Sequence, residues 1–201
     1  MLENIIFDLG AVVLEWKPAA IAERFTADVQ LQEKLVSGVF THQDWLDMDR
    51  GVLSEDDVVD RVVERLQLPV ASVRELFTIT RESLQVIPET ERLIEEAYNA
   101  GLNLYCLSNM SVENYAYLQP RFDFFERFQG IVISGHEHLI KPDPNIFTLI
   151  LERYSLNPAS TLFIDDSAQN VAAAENRGIE AVQFFGTPAC YERISTRIQT
   201  I

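Results

Sequence analysis

Two adjacent carboxylates, Asp165 and Asp166, follow the apolar run Thr161-Leu162-Phe163-Ile164. Like charges this close repel each other. A hard cation bound by oxygen ligands relieves the repulsion, and magnesium with a substrate phosphate is the usual occupant of such a site. Helix capping by Asp166 explains one carboxylate and leaves the other unexplained. A third carboxylate, Asp8, comes directly after Ile5-Ile6-Phe7, where it either attacks an electrophile or simply ends a strand in a turn. Gly10, two residues on, is expected to let the backbone turn sharply near a ligand. Ser108-Asn109 close another apolar run, Leu102-Asn103-Leu104-Tyr105-Cys106-Leu107. A hydroxyl, a side-chain amide and the adjacent main-chain donors suit phosphate oxygens, although serine and asparagine also serve as ordinary turn and cap residues. Lys141 opens the run Lys-Pro-Asp-Pro, in which Pro142 and Pro144 restrict the backbone and hold the lysine in one direction. So held, it would neutralise a phosphate and a nucleophilic carboxylate. The plainer alternative is a solvated lysine ahead of a proline-capped helix.

Most of these residues close a short apolar run, and such runs alternate with longer segments of helical period, the pattern of an α/β fold built on a parallel sheet. Strands are expected over 5–7, 102–107, 130–133 and 161–164, with 181–185 as a fifth. Helices are expected over 89–100, 145–154 and 168–177, the first stopped by Gly101 and the last by Gly178. In an open α/β sheet the reactive crevice lies outside the carboxyl ends of the strands, which is where the polar residues fall. From about Pro18 to Gln85 the pattern changes. No strand is evident there, and Val58, Val59, Val62, Val63 and Leu66 recur at helical spacing. That stretch reads as a helical insertion, within which Gly51 to Asp57 forms a turn leading to Ser54 as an N-cap with acidic residues in the first helical turn. The 201 residues fit one domain, or one core with a modest insertion.

Thirty-one acidic residues against sixteen basic ones give a formal charge of −15, which repels nucleic acid and anionic membrane surfaces. An anionic substrate is repelled too, so a phosphate site needs local positive charge from a metal, a lysine or helix N-termini. The two cysteines, Cys106 and Cys190, are too few for a disulfide framework and are expected as free thiols. No secretory signal or apolar stretch of membrane-spanning length is evident, so a cytoplasmic location is expected.

Taken together, FDLGAVV, LSN, KPDP and FIDDS resemble, in order and spacing, the four motifs of the haloacid dehalogenase-like superfamily. The later DRGVLS and FIDDSAQN make the chain look most similar to the bacterial glucose-1-phosphate phosphatase type. The resemblance implies a Rossmann-like core, residues 1–17 and 86–201, with a helical-bundle cap inserted over 18–85. It implies that Asp8 is nucleophile and magnesium ligand, that the Gly10 carbonyl, Asp165 and Asp166 complete the metal site, that Ser108 and Asn109 bind the transferring phosphoryl group, and that Lys141 stabilises its charge. The expected activity is hydrolysis of a small phosphomonoester, a sugar phosphate being one candidate, through an aspartyl-phosphate.

One departure stands out. Most phosphatases of this superfamily carry a second aspartate two residues after the nucleophile as general acid and base, and here that position is Gly10. Glu15, His42 and Asp47 are candidate replacements, though Glu15 also reads as a solvated residue where the chain leaves the core. His42, Trp45 and Arg50 are candidates for lining a substrate pocket, while Trp45 and Met48 equally fit ordinary helix packing. A metal-independent haloacid dehalogenase needs no such acid but does not call for the Asp165-Asp166 pair. A non-catalytic binding protein that kept the fold is the third alternative. Oligomeric state is left open by the sequence.

Overall fold

A computed structural model describes residues 1–199 of the chain. The apolar runs form β1 (Asn4–Phe7), β2 (Asn103–Ser108), β3 (Gly130–Ile133), β4 (Thr161–Asp165) and β5 (Glu180–Gln183). They pair in parallel in the order β3-β2-β1-β4-β5. All four residues of β1 are buried because helices cover both faces of the sheet, the usual condition of parallel strands. The alternation of side chains along β1 divides the core in two. Ile5 and Phe7 pack with Leu93, Ile94, Ile194 and Ile198 from α6 (Pro88–Asn99) and α11 (Pro188–Gln199). Ile6 packs on the other face with Ile146, Phe147 and Ala174 from α9 (Pro144–Arg153) and α10 (Ala168–Glu175). This is the Rossmann-like α/β architecture. The order reverses across β1, with β2 and β3 on one side and β4 and β5 on the other, so the crevice of the fold opens where Asp8 and Asp165 leave the sheet.

The helices start and stop much as their sequence signals indicate. Gly101 and Gly178 adopt positive φ, 81° and 78°, just beyond α6 and α10. The fifth strand ends two residues earlier than expected. The Phe184 N–H still donates to the Asp165 carbonyl (2.8 Å), but β4 ends there, so Phe185 has no neighbour to pair with and is 67% exposed.

Between β1 and β2 the chain forms α1 (Pro18–Phe25), α2 (Val29–Leu35), a π turn at Val36–Phe40, α3 (Gln43–Asp49), α4 (Glu55–Leu66) and α5 (Val70–Ser83). These helices enclose an apolar cluster of their own, including Ile21, Met48, Val58, Val62 and Phe77. Ser54 caps α4 in a reciprocal box: its hydroxyl accepts from the Asp57 N–H (3.2 Å) and its own N–H donates to the Asp57 carboxylate (2.9 Å). Asp44 is buried between helices; burial alone would raise its pKa, but hydrogen bonds from Arg65 and Arg61 prevail and hold it below the usual carboxylate range.

The helical segment leaves and rejoins the sheet through one narrow ribbon. The Glu15 N–H donates to the Gln85 carbonyl and the Ile87 N–H to the Val13 carbonyl, each at 2.8 Å, flanking an antiparallel bridge between Leu14 and Val86. Two further contacts fix it to the core. The Ser134 hydroxyl, at the start of α8 (Ser134–Glu137), donates to the Asp49 carbonyl and accepts from the Met110 N–H (2.9 Å). Gly51, at φ 74°, lies so close to the main chain of Gly135 that a Cβ there would sit 2.2 Å from its carbonyl oxygen. None of the helices among the described residues is long and apolar enough to cross a membrane.

Candidate active site

Parallel register brings the strand-end residues together. Asp8 follows β1, Asp165 closes β4 beside it, and Asp166 is next in the chain. One oxygen from each of the three carboxylates lies within 4.8 Å of the others. Such a set of hard oxygen donors fits a magnesium ion.

Lys141 is 4% exposed, and its ammonium group is shared three ways: with Asp8 Oδ1 (2.9 Å), Asp165 Oδ2 (2.7 Å) and the Leu107 carbonyl (2.8 Å). Asn109 holds the lysine in place. Its Oδ1 accepts from the Lys141 N–H (2.8 Å) and its Nδ2 donates to the Lys141 carbonyl (3.0 Å). The Lys-Pro-Asp-Pro run therefore does hold a lysine in one direction, and a buried one rather than a solvated one. Asp165 is fully buried and densely bonded, accepting also from the Ser167 N–H (2.9 Å) and from Asn170 Nδ2 at 3.0 and 3.1 Å.

The charges do not balance. Asp8 is raised from 3.8 to about 7: burial pushes it up most, Lys141 pulls it down, and the neighbouring charge of Asp165 pushes it up again. Burial opposes the charge on Lys141, yet Asp8 and Asp165 outweigh it and hold the ammonium above its ordinary pKa. The lysine stays charged and the carboxylate yields, because one ammonium shared between two buried aspartates cannot neutralise both. Asp166 is raised as well, by burial and then by Asp165. Three carboxylates around one lysine make a site with a charge deficit that a divalent cation would remove.

Above these residues lies a cavity of about 250 Å³. Asp8, Gly10, Asn109, Lys141 and Asp166 form its polar floor, and Trp16, Phe40, Trp45 and Leu46 line its walls. The three rings pack on one another, with Trp45 at 5.3 Å from Phe40 and 5.6 Å from Trp16. Ser108, 1% exposed, is not among the lining residues.

Several expectations change here. The left-handed turn after Asp8 is made by Ala11 (φ 58°), not by Gly10, where an added Cβ would meet only Trp16 at an ordinary 3.9 Å. Glu15 pairs with Lys17 (2.8 Å), His42 caps α3 through the Asp44 N–H (3.1 Å), and Asp47 accepts from Gln43 (2.9 Å). None of these three lines the cavity, and neither does Arg50. Trp45 does. So does Asp49, which the motifs did not flag. The usable signal was its spacing: four residues after Trp45, it falls on the same face of α3.

A family model described as haloacid dehalogenase-like hydrolase matches residues 5–178. The chain is similar to the drimenol cyclase drtB of Aspergillus calidoustus, 27% identical over 92% of this chain but only 34% of that protein, so it spans about a third of that relative's length. It is 26% identical to the sesquiterpene phosphatase astK of Aspergillus oryzae over 87% of this chain and 85% of that one. Among solved structures, a HAD family enzyme from Bacteroides thetaiotaomicron in complex with magnesium and inorganic phosphate shares its fold. The TM-score is 0.74, with 20% identity over 93% of this chain and 96% of the other.

Proposed function

Since the chain belongs to the haloacid dehalogenase-like hydrolases, we propose that it is a magnesium-dependent phosphatase that hydrolyses a small phosphomonoester through an aspartyl-phosphate on Asp8. The observation that carries this reading is the group formed by Asp8, Asp165 and Asp166 around Lys141 on the floor of one cavity. A relative named as a phosphatase supports it. A dehalogenase would have no use for the third carboxylate.

Each residue has a distinct task. Asp8 Oδ1 is held by Lys141 and by the Leu9 N–H (2.7 Å), which leaves its other oxygen to attack phosphorus. Magnesium, held by Asp8, Asp166, the Gly10 carbonyl and Asp165, would neutralise charge on the phosphoryl oxygens and on the floor of the site. Asp166 is the more exposed of the pair and faces the cavity; Asp165, bonded by Lys141, Ser167 and Asn170, also fixes the lysine. Lys141 offsets the phosphoryl charge. Asn109 has a second amide hydrogen for a phosphoryl oxygen, with Ser108 behind it at the end of β2. The helical segment 18–85 acts as the cap, excluding bulk water and presenting Phe40 and Trp45, beside Trp16 of the core, to the organic part of the ester. Those flat apolar walls suit the C–H face of a sugar ring or an isoprenoid chain equally.

The test is phosphate release from a panel of small phosphomonoesters, sugar and isoprenoid phosphates included, with and without magnesium, for the native protein and Asp8→Asn. Release that needs magnesium and is lost in Asp8→Asn is expected. No release from any ester would overturn the reading in favour of a dehalogenase or a binding protein.

A further inference from the structure

Phosphoryl transfer from an alcohol needs a proton for the leaving oxygen, and position 10, where the superfamily pattern would supply the donor, is glycine. Among the described residues that line the cavity, the carboxylic acids are Asp8, Asp166 and Asp49. The first two belong to the metal group. Asp49 comes from the opposite side: it is the last residue of α3, in the helical insertion, and is 8% exposed. Its main chain is tied to the core by the Ser134 hydroxyl, which also holds the Met110 N–H in the loop after β2. The acid is thus placed over the strand ends by a contact with the core itself.

We propose that Asp49 is the general acid and base of the reaction, in place of the residue absent at position 10; this rests on the phosphatase reading above. In the first step an oxygen of Asp8 bonds to phosphorus. The bond from phosphorus to the ester oxygen breaks, its electron pair stays on that oxygen, and the Asp49 carboxyl proton passes to it to release the alcohol. In the second step water attacks the phosphorus of the aspartyl-phosphate. The Asp49 carboxylate takes one proton of that water, and the bond between phosphorus and Asp8 breaks, giving inorganic phosphate and restoring both side chains. The surroundings favour the protonated start. Burial lifts Asp49 well above the usual carboxylate range, donors from the main chain of Ser111 and the side chain of Trp45 draw it partly back, and the charge of Asp8 lifts it further.

The experiment compares native protein with Asp49→Asn, a change of similar size, with magnesium present and folding checked by thermal melting. Two probes are used: an alkyl phosphate, whose leaving oxygen needs a proton, and p-nitrophenyl phosphate, whose leaving oxygen does not. Turnover of the alkyl ester should fall roughly 10²–10⁴-fold, the usual contribution of a general acid. The aryl ester should still give a burst of p-nitrophenol, followed by slow turnover as the phosphoenzyme accumulates. Position 10 has room for a side chain, so Gly10→Asp added to Asp49→Asn should recover roughly tenfold or more of the lost alkyl activity. Retention of alkyl turnover to within about threefold, against the 10²-fold minimum expected of a lost acid, would overturn the assignment. Equal loss of the alkyl reaction and the aryl burst in a folded variant, or no recovery by Gly10→Asp, would also overturn it and leave Asp49 a structural residue. A native protein inactive on both probes would overturn the phosphatase reading as well, whereas an active native protein with an unaffected Asp49→Asn sinks only the acid.

Discussion

Asp8→Asn should abolish activity and, in the metal-free protein at pH 8, raise thermal stability. In the fold the Asp8 pKa is raised from 3.8 to about 7, with burial the largest cause. A carboxyl raised in this way binds its proton more tightly folded than unfolded. The stability it contributes is therefore complete below about pH 4 and is lost as pH rises through 7. About three pH units at 1.36 kcal/mol each set a ceiling of about 4 kcal/mol for the strain that the ionised form introduces. Asparagine carries no charge and keeps the shape, so it escapes that cost. The bond from Lys141 (2.9 Å) is already counted in the raised pKa, so what asparagine gives up beyond it is the charge-assisted bond from the Leu9 N–H (2.7 Å), worth about 2 kcal/mol. The net gain is about 2 kcal/mol, or roughly 4–8 °C in melting temperature for a chain of this size. Thermal melts in EDTA at pH 8 and pH 5, native and variant side by side, measure it. The advantage should vanish at pH 5, where Asp8 in the native fold already holds its proton. Added magnesium should stabilise the native protein far more than the variant. A variant that melts at or below the native protein in EDTA at pH 8, or a gain of equal size at both pH values, would refute the reasoning.

Three further outcomes are expected. Arg61→Met with Arg65→Met strands the Asp44 carboxylate among the helices of the insertion and should cost about 3–5 kcal/mol at pH 7. Because the folded Asp44 pKa is lowered, the native protein's advantage in urea unfolding should shrink as pH falls below 4. Gly51→Ala would drive a Cβ into the Gly135 carbonyl at a position with φ 74° and should lower stability by about 1–3 kcal/mol, with KM rising as the helices shift off the cavity. Trp45→Phe keeps much of the ring packing against Phe40 and Phe77 but removes a donor beside Asp49. It should change KM by several-fold while magnesium affinity, read by calorimetry, stays the same.

The strands are legible because their residues are apolar on both faces, and that character assigns the polar residues that close them to one crevice. Lys141 is legible through its prolines. Asp49 is not: what brings it to the cavity is the docking of α3 against Ser134, a contact separated by 85 positions in the chain that no local pattern records. The position of the turn after Asp8 has a similar origin. Glycine marks positions that tolerate unusual backbone, but Leu9, Val12, Val13 and Leu14 are all fully buried, and that packing fixes the turn tightly enough to put the left-handed φ on Ala11. Phe185 fits β5 by its own apolar character, whereas strand length is set by the neighbour, and β4 ends at Asp165.

The ribbon of Val13–Glu15 against Gln85–Ile87 makes the length of what lies between them a free variable of the fold. Entry and exit already sit side by side, so the sheet has no stake in how many residues make the excursion, and lengthening it adds only slowly to the entropy of closure. Asp8, Lys141 and the carboxylate pair all lie outside that excursion, while Trp45 and Asp49 lie within it. The chain is in effect modular. Exchanging the excursion for another of different shape would alter which molecules reach the crevice without moving Asp8.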